Sequence, residues 1–160
     1  LDDEPLAEPG VLSPEDRQRV AREHFERRSA TASNYLKGFR FYLGENNLSE
    51  AAFLLHQSLE QAYSCVLLTL TNYAPPSHNI KFLRSLAEEQ DRRLADAFPR
   101  DQHRERAWFN RLNEAYVKAR YSRHFEISEE ALLWLGERTA ALHDSVELVC
   151  EEHLVRLDRD

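Results

Sequence analysis

The sequence predicts an all-α fold, an up-and-down bundle of about five helices. Apolar residues recur at helical spacing along most of the chain, and no segment alternates with the period of a strand. Glycine is rare, with only 4 residues, and a chain of 160 residues can bury one core without metal or disulfides. These observations favour a single helical domain.

The chain divides into three predicted segments. Residues 1–12 begin with LDDEPLAEPG, which is acidic, contains prolines and is typical of a linker. Residues 13–155 form the predicted bundle, and residues 156–160 form a polar tail. Because the sequence contains no methionine, we expect it to be a segment of a longer protein in which the linker follows an upstream domain.

The composition of the chain disfavours several classes of function. The net charge of −7 disfavours a protein that coats nucleic acid nonspecifically, but it is compatible with a local basic patch. No apolar run is long enough to cross a bilayer and no signal peptide is evident, so we expect no membrane partner. Cys65 and Cys150 lack redox or metal-ligand spacing, which favours buried thiols and a cytoplasmic location.

Capping residues and apolar periodicity predict the positions of the first two helices. Ser13 and Pro14 begin helix one, whose second half is aromatic and therefore predicted to face the core. Helix two covers residues 51–72 and is apolar on nearly all sides. It should therefore be the centre of the bundle or lie at a subunit interface.

The remaining helices follow a double proline. Pro75 and Pro76 cannot continue helix two, and Asn79 caps a short helix three. One or two further turns are expected over residues 91–98. Asp101 is then predicted to cap helix four, which runs to about residue 120, and Ser128 to cap helix five.

Helix two carries two ionisable residues within its apolar arc. His56 and Glu60 are four residues apart, so they share a face and can touch. They form either a polar pocket or a buried, mutually satisfied pair that fixes helix packing. His78 can approach His56 only through tertiary structure, and zinc would need further ligands, so no metal or other cofactor is predicted.

A compact basic cluster lies at the end of predicted helix four. Its members are Lys118, Arg120, Tyr121, Arg123, His124 and Phe125. Cations interleaved with aromatic rings suit phosphate contacts and base stacking. The alternative is a helix cap, in which the cations interact with the negative end of the helix dipole.

Three segments together resemble a known family. AAFLLHQSLEQAY in helix two, NYAPPSHNIKFL after it and EAYVKARYSRHFEIS across helices four and five are similar to the HEPN domain. In particular, they resemble the HEPN halves that follow a nucleotidyltransferase domain in bacterial and archaeal proteins. The resemblance implies a helical bundle that usually forms a homodimer, with a nucleotidyltransferase domain in the same or a partner chain.

The resemblance implies two divergent activities. Some members are metal-independent RNases of toxin-antitoxin systems that use an Arg-x4-6-His motif, whereas others, such as the domain at the end of sacsin, lack the motif and bind nucleotides. Here only three residues separate Arg120 from His124, which departs from the motif. Arg138 and His143 match the spacing but lie about 140° apart on one helix, and about two such pairs are expected by chance.

We therefore expect a non-catalytic HEPN module that binds a nucleotide or an RNA phosphate and dimerises. The predicted ligand-binding residues are Lys118, Arg120, Tyr121, Arg123, His56, Glu60 and His78. The cations would contact phosphate, the tyrosine would stack, and the polar pocket would orient them. Two alternatives stay open: an RNase that uses Arg120 with His124 or Arg138 with His143, and a purely structural dimerisation domain.

Overall fold

The computed structural model describes residues 12–159, which form six α-helices and one 3-10 helix and contain no strand. The α-helices are α1 (Pro14–Gly44), α2 (Leu48–Thr71), α3 (Ile80–Gln90), α4 (His103–Asn113), α5 (Ala115–Tyr121) and α6 (Glu129–Arg159); the 3-10 helix, Arg92–Ala97, lies between α3 and α4. The predicted all-α bundle is confirmed. All but residue 12 of the predicted linker lies outside the described range, and α6 continues through residues 156–159 of the predicted tail. No helix within the described range is both long and apolar enough to cross a membrane.

The α2 helix is the centre of the bundle. It contacts α1, α3, α4, α5 and α6. Leu55, Leu59 and Val66 are fully buried on its main apolar arc, and Cys65 is fully buried on the other side. The prediction that this helix is central is therefore confirmed, and burial of its apolar surface on nearly all sides stabilises the fold.

Local signals account for three helix starts. The side chains of Ser13, Asn79 and Ser128 accept hydrogen bonds from backbone amides in the first turns of α1, α3 and α6. All three predicted caps are confirmed. At its other end, α2 stops at Asn72, whose φ of 61° is a left-handed conformation that asparagine tolerates better than most residues.

The predicted helix four is two helices, and its predicted cap is wrong. The segment breaks at Glu114, whose amide bonds to a carbonyl three residues back and so tightens the turn. Gln102, rather than Asp101, precedes α4, and it makes no side-chain cap hydrogen bond. The break coincides with a tertiary contact that helical periodicity does not reveal, since Asn113 Oδ1 accepts a hydrogen bond from the Ile80 amide at 2.8 Å.

Candidate functional site

The polar residues of α2 meet the loop that precedes α3. His56 is fully buried, and its Nε2 lies 2.8 Å from the carbonyl oxygen of His78. The Nδ1 of His78 lies 2.8 Å from Oε1 of Glu60, whose side chain is only 11% exposed. The loop that contains Pro75 and Pro76 thus returns His78 to α2, and the three polar residues predicted for the site lie together.

His56 and Glu60 are linked through other groups rather than by a bond to each other. The Gln57 amide nitrogen lies 3.2 Å from His56 Nδ1 and 3.4 Å from Glu60 Oε1. Because a carbonyl oxygen only accepts, His56 Nε2 carries a hydrogen and its Nδ1 accepts from Gln57. Burial lowers the pKa of His56 to about 4, so the ring is neutral at neutral pH.

Tyr116 joins this polar network to the basic cluster. Its ring stacks on His78 with a centroid distance of 3.7 Å and an interplanar angle of 11°, and it lies 5.8 Å from the ring of Phe53. The Cζ atom of Arg120 lies 4.6, 5.1 and 5.0 Å from the ring centroids of Phe53, Tyr116 and Tyr121. We call Phe53, His78, Tyr116, Arg120 and Tyr121 the aromatic–arginine patch.

The aromatic–arginine patch is open to solvent. Tyr121 is 74% exposed, and the side chain of His78 is 53% exposed. No ion pair within residues 12–159 includes Arg120. Its guanidinium donates to the Tyr116 carbonyl at 3.4 Å, but this carbonyl lies in the first turn of α5, so the bond is not the C-terminal cap of the alternative interpretation. An exposed guanidinium held on aromatic faces can still donate two hydrogen bonds to a phosphate.

The other cluster members differ in how far they are neutralised. Lys118 Nζ lies 2.8 Å from Oε1 of Glu114, and the hydrogen bond from Lys118 holds the pKa of that carboxyl below its usual value. Arg123 and His124 are exposed in the turn between α5 and α6, and in the described part of the chain Arg123 makes no ion pair. The aromatic member Phe125 is buried and belongs to the core. The free charge of the cluster is therefore concentrated on its arginines.

Arg138 and His143, the second pair of the RNase alternative, lie within α6. The Nε2 of His143 lies 3.0 Å from Oγ of Ser58, which in turn donates its hydrogen to the Ala32 carbonyl at 2.8 Å. The serine therefore accepts from His143, and burial lowers the pKa of this histidine to about 4. His143 is thus engaged in the packing of α6 against α1 and α2.

Three contributors to the site escaped the sequence analysis: Phe53, Gln57 and Tyr116. Helical periodicity identifies Tyr116 only as a residue on an apolar face. Its position four residues before Arg120 is the one local signal of their contact, because such residues lie one turn apart. Nothing local connects it with His78, which approaches only through the loop before α3.

A groove of about 280 Å³ lies beside the same network. Glu60 and His78 line it together with Arg28, Ser64 and Ser77. Its lining is mostly polar, so Glu60 is reached from this groove while His78 also faces the patch. Across residues 12–159, no group of three or more His, Cys, Asp or Glu side chains is arranged to hold a metal ion.

The tautomers of the two histidines give a direct test of the network. In long-range proton–nitrogen NMR spectra we expect neutral His56 to carry its hydrogen on Nε2 and neutral His78 on Nδ1, because the Glu60 carboxylate only accepts. Glu60→Ala should shift His78 towards the Nε2–H form and leave His56 unchanged. Glu50→Ala, which removes an exposed carboxylate from the same helix, is the matched control. A wild-type His78 protonated on Nε2 would contradict this arrangement.

Comparison with known families gives a match to most of the chain. A family model described as the HEPN domain matches residues 25–148. This range contains His56, Gln57, Glu60 and the whole aromatic–arginine patch, and it extends from α1 into α6. No curated protein matches the chain at a significant level.

Proposed function

The chain belongs to the HEPN domain family, and on that basis we propose that it binds a nucleotide or an RNA phosphate at the aromatic–arginine patch without cleaving it. The observation that carries the proposal is the placement of Arg120. Its guanidinium is exposed, lies over three aromatic rings and has no carboxylate partner within residues 12–159. Guanidinium and aromatic faces together are the groups that bind phosphates and unpaired bases.

The patch offers separate contacts to the two parts of a nucleotide. Arg120 is the primary phosphate donor, and Arg123, which lies just beyond the end of α5, adds a second exposed cation. Lys118 joins them when it exchanges Glu114 for a phosphate oxygen. Tyr121, with most of its ring exposed, supplies a stacking face for the base, a contact worth about 1–3 kcal/mol.

The buried polar network holds the patch in shape. Glu60 fixes the ring of His78 through Nδ1, and His56 fixes its backbone carbonyl. The stacked Tyr116 therefore rests on an imidazole that is held at two points, and Arg120 rests on Tyr116. Such preorganisation lowers the entropy that binding must remove, so the network supports affinity without itself contacting the phosphate.

Arg120→Ala is expected to weaken nucleotide binding about tenfold or more, because a charge-assisted and often bidentate contact is lost. Isothermal calorimetry with ATP, GTP and a 5′-phosphorylated oligoribonucleotide measures the effect. Tyr121→Ala should weaken the ligands that carry a base but leave inorganic phosphate unchanged. Arg104→Ala is the matched control, because it also removes an exposed arginine that lies over an aromatic ring, that of Trp108 at 4.7 Å.

Other outcomes would replace the proposal. Binding that is absent at millimolar nucleotide, or equally weak in Arg120→Ala and Arg104→Ala, would leave a purely structural dimerisation domain. Metal-free cleavage of the oligoribonucleotide that disappears in His124→Ala, or in His143→Ala, would make the protein an RNase instead.

The proposal includes a homodimer and an accessory role to a nucleotidyltransferase domain in the same or a partner chain. Its support is the resemblance of three segments, AAFLLHQSLEQAY, NYAPPSHNIKFL and EAYVKARYSRHFEIS, to the HEPN halves that follow a nucleotidyltransferase domain. Light scattering of the isolated chain tests the dimer. Co-purification with a nucleotidyltransferase encoded in the same or the neighbouring reading frame tests the association.

A further inference from the structure

A second group of cations surrounds a cavity between α3, α4 and α6. The cavity has a volume of about 270 Å³ and shares no residue with the aromatic–arginine patch. Its basic lining residues are Lys81, Arg84, Arg100, His103 and Arg106. Its aromatic walls are Phe98, Phe109 and Trp134. Such a concentration of positive charge is unexpected in a chain whose net charge is −7.

Carboxylates neutralise only part of this charge: Glu105 lines the cavity, and Glu88 pairs with two of the arginines. Glu88 lies 2.5 Å from Arg100 and 3.9 Å from Arg84, and it serves both. Among the described residues neither Lys81 nor Arg106 makes an ion pair. Arg106 instead donates to the backbone carbonyl of Arg100, which holds its guanidinium at the wall of the cavity. The cavity is therefore left with an excess of positive charge.

Arg84 lines the cavity, and its surroundings there destabilise its charged form. Its side chain is 13% exposed, and its guanidinium lies 4.1 Å from the Phe109 centroid. Within residues 12–159 its buried Nε has no hydrogen-bond partner, and neither has Oε2 of Glu88, which lies 3.9 Å away. Burial lowers the pKa of Arg84, and the positive charge of Arg100 contributes to the same effect. An anion in the cavity would offset both the burial and the repulsion.

We propose that this cavity is a separate binding site for the phosphate groups of a small polyphosphate. Several cations from three segments face one space that is large enough for a pyrophosphate unit, and guanidinium groups match phosphate oxygens in pairs. The phosphates come either from inorganic pyrophosphate or from a nucleoside triphosphate, whose base would then lie outside the cavity.

Tryptophan fluorescence reports on this region directly. The chain has 2 tryptophans, Trp108 and Trp134, whose ring centroids lie 5.9 Å apart, and Trp134 lines the cavity. Titration with pyrophosphate, without metal and at constant ionic strength, should give a saturable fluorescence change. Arg106→Gln should weaken it about tenfold or more. Arg104→Gln, two residues away and outside the lining, removes the same charge and should keep the wild-type affinity.

Further experiments distinguish binding in this cavity from binding at the aromatic–arginine patch and identify the source of the phosphates. Arg120→Gln should retain the fluorescence titration even if it abolishes nucleotide binding at the patch, so the two proposals can fail independently. A tighter titration with ATP than with pyrophosphate, with the same dependence on Arg106, assigns a nucleotide; the reverse order assigns the inorganic anion. If circular dichroism shows that Arg106→Gln is misfolded, Lys81→Gln provides a second variant. An equal response to sodium chloride, or an unchanged titration in both variants, would overturn the inference.

Discussion

Acidification from pH 6.5 to pH 4 is expected to lower the free energy of unfolding by up to about 3 kcal/mol for each of His56 and His143. Burial lowers the pKa of both residues to about 4 in the folded chain. Between these pH values the unfolded chain binds protons that the folded chain does not. The stabilisation is therefore complete above pH 6.5, falls through this range, and stops changing below about pH 4.

Urea denaturation at several pH values between 7.5 and 4 measures this dependence. His143→Gln, whose amide can still donate to Ser58, should remove about half of the loss that His56 and His143 cause together. The carboxylates and His153, whose pKa burial also lowers, keep their own contributions. His124→Gln, which replaces an exposed histidine, is the control for loss of an imidazole. A slope that is the same in His143→Gln as in the wild type would contradict the burial of this ring.

Gly136→Ala is expected to destabilise the fold by about 1–3 kcal/mol, although alanine favours a helix over glycine by about 1 kcal/mol. A Cβ atom at this position would lie 2.6 Å from Cε2 and 2.9 Å from Cζ of Phe39. Phe39 is 2% exposed and belongs to the core, so its ring cannot swing aside into solvent. The substitution therefore forces α1 and α6 apart, and thermal unfolding measures the loss.

Gly44→Ala is the matched control for this substitution. Gly44 is the last residue of α1, and a Cβ atom there would have no neighbour within 4 Å. We expect its melting temperature to equal or slightly exceed that of the wild type, because alanine restricts the unfolded chain. Equal destabilisation by both substitutions would show that the loss at Gly136 is not steric.

The helices could be predicted because their signals are local. Ser13, Asn79 and Ser128 cap helices within a few residues of their own positions, and the all-round apolarity of α2 indicates its central place. The break at Glu114 could not be predicted, since the neighbouring Asn113 side chain bonds to α3 and that contact depends on the packing of the whole bundle.

The sequence predicted the polar residues of the candidate site together with Arg120 and Tyr121, but not Phe53, Gln57 or Tyr116. His56 and Glu60 are conspicuous because ionisable residues on an apolar arc need partners. Their actual partners are Gln57 and His78, and the stacking of His78 on Tyr116 depends on where the double-proline loop returns. Side chains brought together from distant segments leave no periodic signal in the sequence.

The residues of the cavity are even harder to predict from the sequence. Arg84, Arg100 and Arg106 come from α3, from the segment before α4 and from α4 itself, and each is an ordinary surface arginine by local pattern. Their convergence appears only when Phe98 and Phe109 pack edge to face beneath them, with ring centroids 4.8 Å apart.

The central position of α2 has a consequence for how the chain folds during synthesis. Among the described helices α2 is the second to be synthesised, yet it packs against α6, whose buried Leu132, Leu135 and Leu142 come much later in the chain. The α1–α2 hairpin can pair early because its contacts are local, but it must wait with apolar surface uncovered until the end of the domain emerges. Folding of the described bundle therefore depends on α6, and truncation within α6 would leave the hairpin prone to aggregation.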